Sequence, residues 1–370
     1  MTGTIATDVA DGLFGAIEPD DDVLTAAGYV AVMAMGAPAL VSAAIDLAGA
    51  FDRGGRLLVT GEGRALADAR HVAVEFLHPV IVGKRALPAA VGDHRAGPDD
   101  IVMAIGYGGS SITGPVDIAI ADHPVPDARH VIELPADDPF AAKEAALVSY
   151  HVMWELVHLF LDETVTDGGG AGGLDALYPM IYKSGSGSDG MVAAATASTE
   201  QKLAETASLR ASSLADNETQ IAAAAGVLAA APTVFTFGNG GSATDAADLA
   251  WALGPKGWAL SDDVATVTAL ANDVSFDVVF ARQLATLARP GDAVVALSTS
   301  GTSTNVTAGV REAQRLGLAT IGLAGYDGGE MASAGLDACC VVRSNSVHRI
   351  QESYVTLYDE MVRRAGLPQQ

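Results

Sequence analysis

Two short stretches hold residues whose types and spacing suit chemistry. "FGNGGSATD", Phe237 to Asp245, sets Asn239, Gly240, Gly241 and Ser242 between the apolar run "TVFTF" and an alanine-rich helical pattern. "LSTSGTSTN", Leu297 to Asn305, follows the next apolar run and supplies Ser298, Thr299, Ser300, Thr302 and Ser303. Glycines let the backbone approach an anion, and a helix N-terminus presents N–H groups to it. Several hydroxyls and no lysine suit a terminal phosphate monoester held by hydrogen bonds. A Walker-type loop needs its lysine, so no nucleotide cofactor is expected. Either turn alone is more often structural. Two of them at the C-terminal ends of consecutive strands point to a ligand, because ligands gather there in open α/β sheets. The helix that follows the first turn has no histidine and no glutamate. These turns grip a substrate, and any proton transfer must come from elsewhere in the chain.

The elements that carry such turns are legible from short apolar runs. "RLLVT", "DIVMAI", "TVFTF" and "AVVALS" have the length and flanks of buried parallel strands. Strands alternating with helices predict a doubly wound α/β sheet. The order runs helices, strand–turn–helix, strand–turn–helix, strand, final helix, and it occurs twice, so the chain is expected to be a fused pseudo-dimer. The expected boundaries are a first domain over 1–165, a Gly/Ser-rich linker over 166–190 and a second domain over 191–370.

Composition narrows the partners. Of the 370 residues, 49% are hydrophobic, which suits a core-forming globular protein. A formal net charge of −24 disfavours nucleic acid and anionic membranes as partners. It also repels phosphorylated metabolites at long range, so a phosphate site must be built locally from amides and hydroxyls. Cys339 and Cys340 are the only cysteines and are adjacent, so no disulfide and a reducing cytoplasm are expected. The opening "MTGTIATDVADGLF" has neither the basic region nor the apolar core of a secretion signal. The run from Val23 to Phe51 is interrupted by glycines and a proline, and a pair of buried helices is expected there rather than a membrane span.

"GNGGSATDAADLA", "LSTSGTSTNV", "AGYDGGEMA" and "HRIQE" resemble the sugar isomerase (SIS) domain of the phosphoheptose isomerases, which act on sedoheptulose 7-phosphate. The resemblance covers roughly residues 191–366, and more weakly 11–162. It implies two flavodoxin-like SIS domains and an aldose–ketose isomerisation through an enediol or enediolate. Phosphate or sugar contacts are implied for Asn239, Gly240, Gly241, Ser242, Asp273, Ser298, Thr299, Ser300 and Ser303. In that family the helix after the first turn carries a histidine and, four residues later, a glutamate. The second half has Asp248 and Ala252 at those positions, and Asp359 where a catalytic histidine is expected. The first half in the same register, "GEGRALADARHVAVEFL", places His71 on Asp248 and Glu75 on Ala252.

The final helix of the first half carries His151, Glu155 and His158 on one face. If Lys143 and Glu144 match Gln351 and Glu352, His151 takes the catalytic histidine position, and His158 stays open as the alternative. Conversely, Ala65 and "GYGG" replace the hydroxyls of the phosphate turns. One composite site is therefore expected, with Glu75 shuttling the proton, a histidine serving the oxygen, and the second half holding the phosphate. A carboxylate packed among apolar helix residues has a raised pKa, which suits that work. The resemblance admits a zinc ion on His71, Glu75, Gln351 and His151, and equally admits acid/base chemistry alone. It also implies a homodimer equivalent to a four-domain tetramer. A non-catalytic sugar-phosphate sensor or scaffold, or an isomerase of another phosphosugar, remain the alternative functions.

Overall fold

A computed structural model describes residues 21–79, 84–92, 96–136, 138–163 and 188–367. The expected linker lies outside the described residues up to 187, as does the N-terminal stretch before Asp21. The chain divides into two compact units, Met1–Ala211 and Ser212–Gln370.

In the first unit, helix α1 spans Asp21–Asp52 and is followed by β1 (Leu57–Gly61), α2 (Ala65–Leu77), β2 (Ala89–Val91), β3 (Ile101–Gly106), β4 (Ile118–Ala121), β5 (His130–Glu133) and α3 (Pro139–Glu163). The strands form one sheet in the order β2-β1-β3-β4-β5, every pair parallel. The apolar runs are buried, and β3 and β4 are buried along their whole length, as parallel strands between helical layers require.

The pair of helices expected over Val23–Phe51 is instead one helix with Pro38 inside it. A proline there removes a backbone hydrogen bond and costs about 3 kcal/mol in an isolated helix. Tertiary packing outweighs that cost: Ala37, Leu40, Val41, Ala44 and Leu47 are buried, and α1 packs on α3 and β5. Among the described residues no helix is long and apolar enough to cross a membrane.

Helix α4 (Ser188–Asp216) crosses the division between units. Its earlier part joins α3 of the first unit through two buried ion pairs, Lys202–Glu155 at 2.9 Å and Arg210–Glu144 at 3.5 Å.

The second unit continues with α5 (Glu218–Ala230), β6 (Val234–Phe237), α6 (Gly241–Ala252), β7 (Gly257–Ala259), α7 (Val264–Asp273), α8 (Val279–Leu287), β8 (Ala293–Ser298), α9 (Thr304–Arg315), β9 (Ala319–Gly325), α10 (Gly329–Ser333), β10 (Ala338–Val342) and α11 (Val347–Arg364). Its sheet is also all parallel, in the order β10-β9-β8-β6-β7. Read from the other edge this is the first unit's order, strand for strand. Both are flavodoxin-like, with the order reversing between β1 and β3 in one unit and between β6 and β8 in the other. The core on one face of the second sheet joins Phe235, Phe237, Phe280, Val294 and Val310.

Candidate active site

In the second unit the two glycine and hydroxyl turns leave β6 and β8, the strands that flank the switch point. Gly240 takes φ +54°, and a Cβ on Gly238 would meet the Ser242 carbonyl oxygen at 2.5 Å. Glycine is therefore required for this tight strand-to-helix turn. The Ser242 amide donates to the Asn239 carbonyl at 2.9 Å. Neither α6 nor α9 has a side chain capping its N-terminus, whereas α7 is capped by Asp263 and α11 by Ser346.

The hydroxyls of the second turn face one another. Ser298 Oγ lies 3.1 Å from Ser303 Oγ and 3.5 Å from Ser300 Oγ. The Tyr354 hydroxyl donates to the Ser298 carbonyl at 3.2 Å and ties the turn to α11. Burial, and the neighbouring carboxylate of Asp245, raise the Tyr354 pKa well above its ordinary value, so it stays a neutral donor. The two turns are joined directly: the side-chain amides of Asn239 and Asn305 exchange hydrogen bonds, 2.8 Å in each direction. Asn305 was not expected as a site residue, although it closes the motif "LSTSGTSTN".

Asp273 stands elsewhere. It is exposed at the end of α7, accepts from Asn272 at 2.7 Å, and lines an open cavity of about 630 Å³ with Leu270, Val274 and Arg282. None of the turn residues lines that cavity. Asp248, Asp359 and Gln351 are buried, and Asp248 accepts from the Tyr358 hydroxyl at 2.6 Å.

The first unit holds a different set at the corresponding place. His71 and Glu75 on α2 are buried, with Nε2 of one 3.6 Å from Oε1 of the other. The His151 ring on α3 packs edge-on against His71, centroids 5.2 Å apart. Tyr150 touches both imidazoles, at 5.4 Å from His71 and 5.1 Å from His151. Its hydroxyl donates to Asp68 at 3.0 Å. Asp68 also accepts from Lys143 and from the Tyr107 hydroxyl, each at 2.5 Å. Three donors, one of them an ammonium, make this fully buried carboxylate tolerable.

His158 has other surroundings. Its Nδ1 lies 3.0 Å from the Trp154 carbonyl and its Nε2 3.4 Å from the Arg85 carbonyl. Its ring packs on Trp154 and Phe76. The structure thus brings His71, Glu75 and His151 together and holds His158 against backbone and aromatic rings. Tyr107 was also missed in the sequence. Its signal was the bulky residue in "GYGG", where the second unit has Thr299.

Imidazole and carboxylate are zinc-ligand types. Among the described residues, however, no three His, Cys, Asp or Glu side chains converge as a metal-binding group.

Paired phosphate-type turns at the switch point of one doubly wound unit, and a second unit of the same topology, define a tandem SIS-domain protein of the phosphosugar isomerase class. A SIS-domain family model matches residues 201–325. The phosphoheptose isomerase of Paramagnetospirillum magneticum is 41% identical over 139 residues, 35% of this chain and 72% of its own length. That of Rhodospirillum rubrum is 41% identical over 157 residues, 39% of this chain and 83% of its own. The C-terminal domain of glucosamine-fructose-6-phosphate aminotransferase from Francisella tularensis shares the fold across 91% of this chain and 95% of its own, at TM-score 0.56 and 11% identity. The chain belongs to the phosphoheptose isomerase family.

Proposed function

We propose that the protein interconverts sedoheptulose 7-phosphate and D-glycero-D-manno-heptose 7-phosphate, the first unit carrying acid/base residues and the second the phosphate turns. The observation that carries this reading is the complementary content of the two units. One gathers His71, Glu75 and His151, and the other keeps the uncapped turns and facing hydroxyls.

Ser242, Ser298, Thr299, Ser300 and Ser303 hold the phosphate, together with the amides at the starts of α6 and α9. Glu75 takes a proton from the carbon next to the carbonyl and returns it to the neighbouring carbon. His151 delivers a proton to the carbonyl oxygen and recovers one from the hydroxyl that becomes the new carbonyl. His71 lies beside the carboxylate and orients it. The enediol or enediolate between these steps needs no other reagent, since the reaction only relocates hydrogen. The phosphate, remote from the reacting carbons, supplies binding energy that aligns them with Glu75.

The test is turnover of sedoheptulose 7-phosphate by the full chain and by Glu75→Gln. Loss of a general base lowers kcat by about 10²–10⁴-fold, with the thermal midpoint essentially kept. A variant as fast as wild type removes Glu75 from the mechanism. A wild type that binds the sugar phosphate without converting it removes the isomerase reaction on this substrate and favours a sensor.

A further inference from the structure

The reciprocal amide pair of Asn239 and Asn305 has no role in gripping phosphate through hydroxyls, yet it spans the two turns that do so. Asn239 sits in the turn after β6, and Asn305 in the first turn of α9. Asn305 is buried at 3% exposure, while Asn239 is half-buried. Each amide donates to the other's Oδ1 at 2.8 Å.

A primary amide has two N–H donors and two carbonyl lone pairs. The pair uses one of each on both residues. The second N–H and second lone pair of Asn239 are then fixed in direction, because rotating either amide alone would set oxygen against oxygen and nitrogen against nitrogen. Asn305 faces Asn239 with both its Oδ1 and its Nδ2. We propose that Asn305 is a positioning residue. It locks the Asn239 amide so that its remaining donor and acceptor form a fixed edge for a sugar hydroxyl, beside the phosphate and distinct from it. The ligand class is a phosphorylated polyol or sugar with a hydroxyl close to the phosphate-bearing end. This inference rests on the phosphate-turn reading given above.

Two properties separate this role from a merely structural one. A fixed edge for a hydroxyl matters to a sugar phosphate and not to inorganic phosphate. A residue that acts only through Asn239 contributes nothing once Asn239 is truncated, so the two substitutions are non-additive.

The experiment is calorimetric titration of the full chain with sedoheptulose 7-phosphate and, separately, with inorganic phosphate. The proteins are wild type, Asn239→Ala, Asn305→Ala, Asn305→Thr and the Asn239→Ala/Asn305→Ala double variant. Each single variant is expected to weaken sugar-phosphate binding about ten-fold, the worth of one or two aligned hydrogen bonds. Inorganic phosphate is expected to bind each single variant within about two-fold of wild type, inside the spread of one weak contact. The double variant is expected to bind the sugar phosphate no worse than Asn239→Ala alone. Asn305→Thr keeps the side-chain volume, adds no charge and cannot form the reciprocal amide pair, so it carries the comparison if the alanine variant loses its fold. Unchanged binding in the Asn305 variants overturns the inference. So does an equal loss for both ligands, or a double variant whose losses multiply. A wild type that binds no sugar phosphate fails before any substitution is compared, and that result refutes the phosphate-turn reading itself.

Discussion

Gly301 offers a quantitative check on the way the second phosphate turn is built. Its φ is +64°, and a Cβ there would lie 2.1 Å from the Gly328 carbonyl oxygen and 2.7 Å from its carbon. The Gly301 amide donates to Ser298, and its carbonyl accepts from Met331, so the segment is held on both sides. Gly301→Ala therefore incurs two costs. The left-handed backbone costs an L-residue about 1–2 kcal/mol. Relieving overlap with backbone, which has no rotamer to change, adds about 1–3 kcal/mol. A total of about 2–5 kcal/mol lowers Tm by about 4–20 °C for a unit of this size, at roughly 2–4 °C per kcal/mol. Gly317→Ala is the control, because Gly317, just past the end of α9, has φ +72° and nothing within 4 Å of its added Cβ. It carries the backbone cost alone, about 2–8 °C by the same conversion. Differential scanning calorimetry of the full chain reads both variants on the same transition. Sugar-phosphate titration should show affinity lost in Gly301→Ala, since the Ser298–Ser303 hydroxyls shift with the turn. Equal Tm losses in the two variants, or full affinity in Gly301→Ala, would falsify the claim that close packing on Gly328 shapes the site.

Three other substitutions test the first unit. His151→Asn is expected to reduce kcat by about 10²-fold or more with little change in Tm, whereas His158→Asn is expected to cost about 1–2 kcal/mol of stability through lost ring packing and a lost hydrogen bond, with kcat nearly kept. Steady-state kinetics with thermal melts on both proteins decides this, and the reverse pattern exchanges their roles. Asp68→Asn takes the carboxylate from buried Lys143, and breaking such a pair costs about 3–5 kcal/mol; a urea midpoint within error of wild type would contradict it. Asp100 accepts from the Arg56 side chain and amide and from the Gly97 amide, and the guanidinium foremost holds its carboxyl well below the usual carboxylate range. A lowered folded pKa means that the stabilisation is fully present above the unfolded value of about 3.9 and is lost as pH falls below it. Asp100→Asn should thus melt lower than wild type at pH 7, with the gap starting to narrow only below about pH 4 and closing as the pH falls through the lower folded value, and a gap that stays constant below pH 4 would refute the linkage.

Local chemistry made much of the fold legible. "AVVALS" coincides with β8, Ala293–Ser298, because a short β-branched run between turn residues has no other way to be buried. The two phosphate turns were equally plain, since glycine at positive φ and clustered hydroxyls announce themselves without tertiary context. The single helix through Pro38 was not legible, because its favourable terms lie in contacts with α3 and β5. The different surroundings of His151 and His158 were hidden for the same reason. Seven residues apart, they share a helix face, and only their neighbours separate them: an imidazole for one, backbone carbonyls and aromatic rings for the other. Asn305 was visible as a letter in a motif, but its partner is Asn239 in the other turn, which no local pattern connects to it.

The register between the two copies is the part of the sequence reading that most needed geometry. Matching Lys143 with Gln351 aligns Tyr150 with Tyr358 and His151 with Asp359. In the second unit the Tyr358 hydroxyl donates to Asp248. In the first unit Tyr150 packs its ring on His71, the residue aligned with Asp248, and its hydroxyl donates to Asp68. The same tyrosine position thus meets the same helix position in both copies, which a shift of even one residue would destroy. A carboxylate at that position takes the hydroxyl as its donor. An imidazole there leaves the hydroxyl to Asp68, which Lys143 and Tyr107 also reach. Tyr107 stands where the second unit has Thr299, and its hydroxyl shares Asp68 with Tyr150, whose ring flanks the two histidines. The residue that replaces a turn hydroxyl in the first unit is thus also a donor to that unit's buried carboxylate.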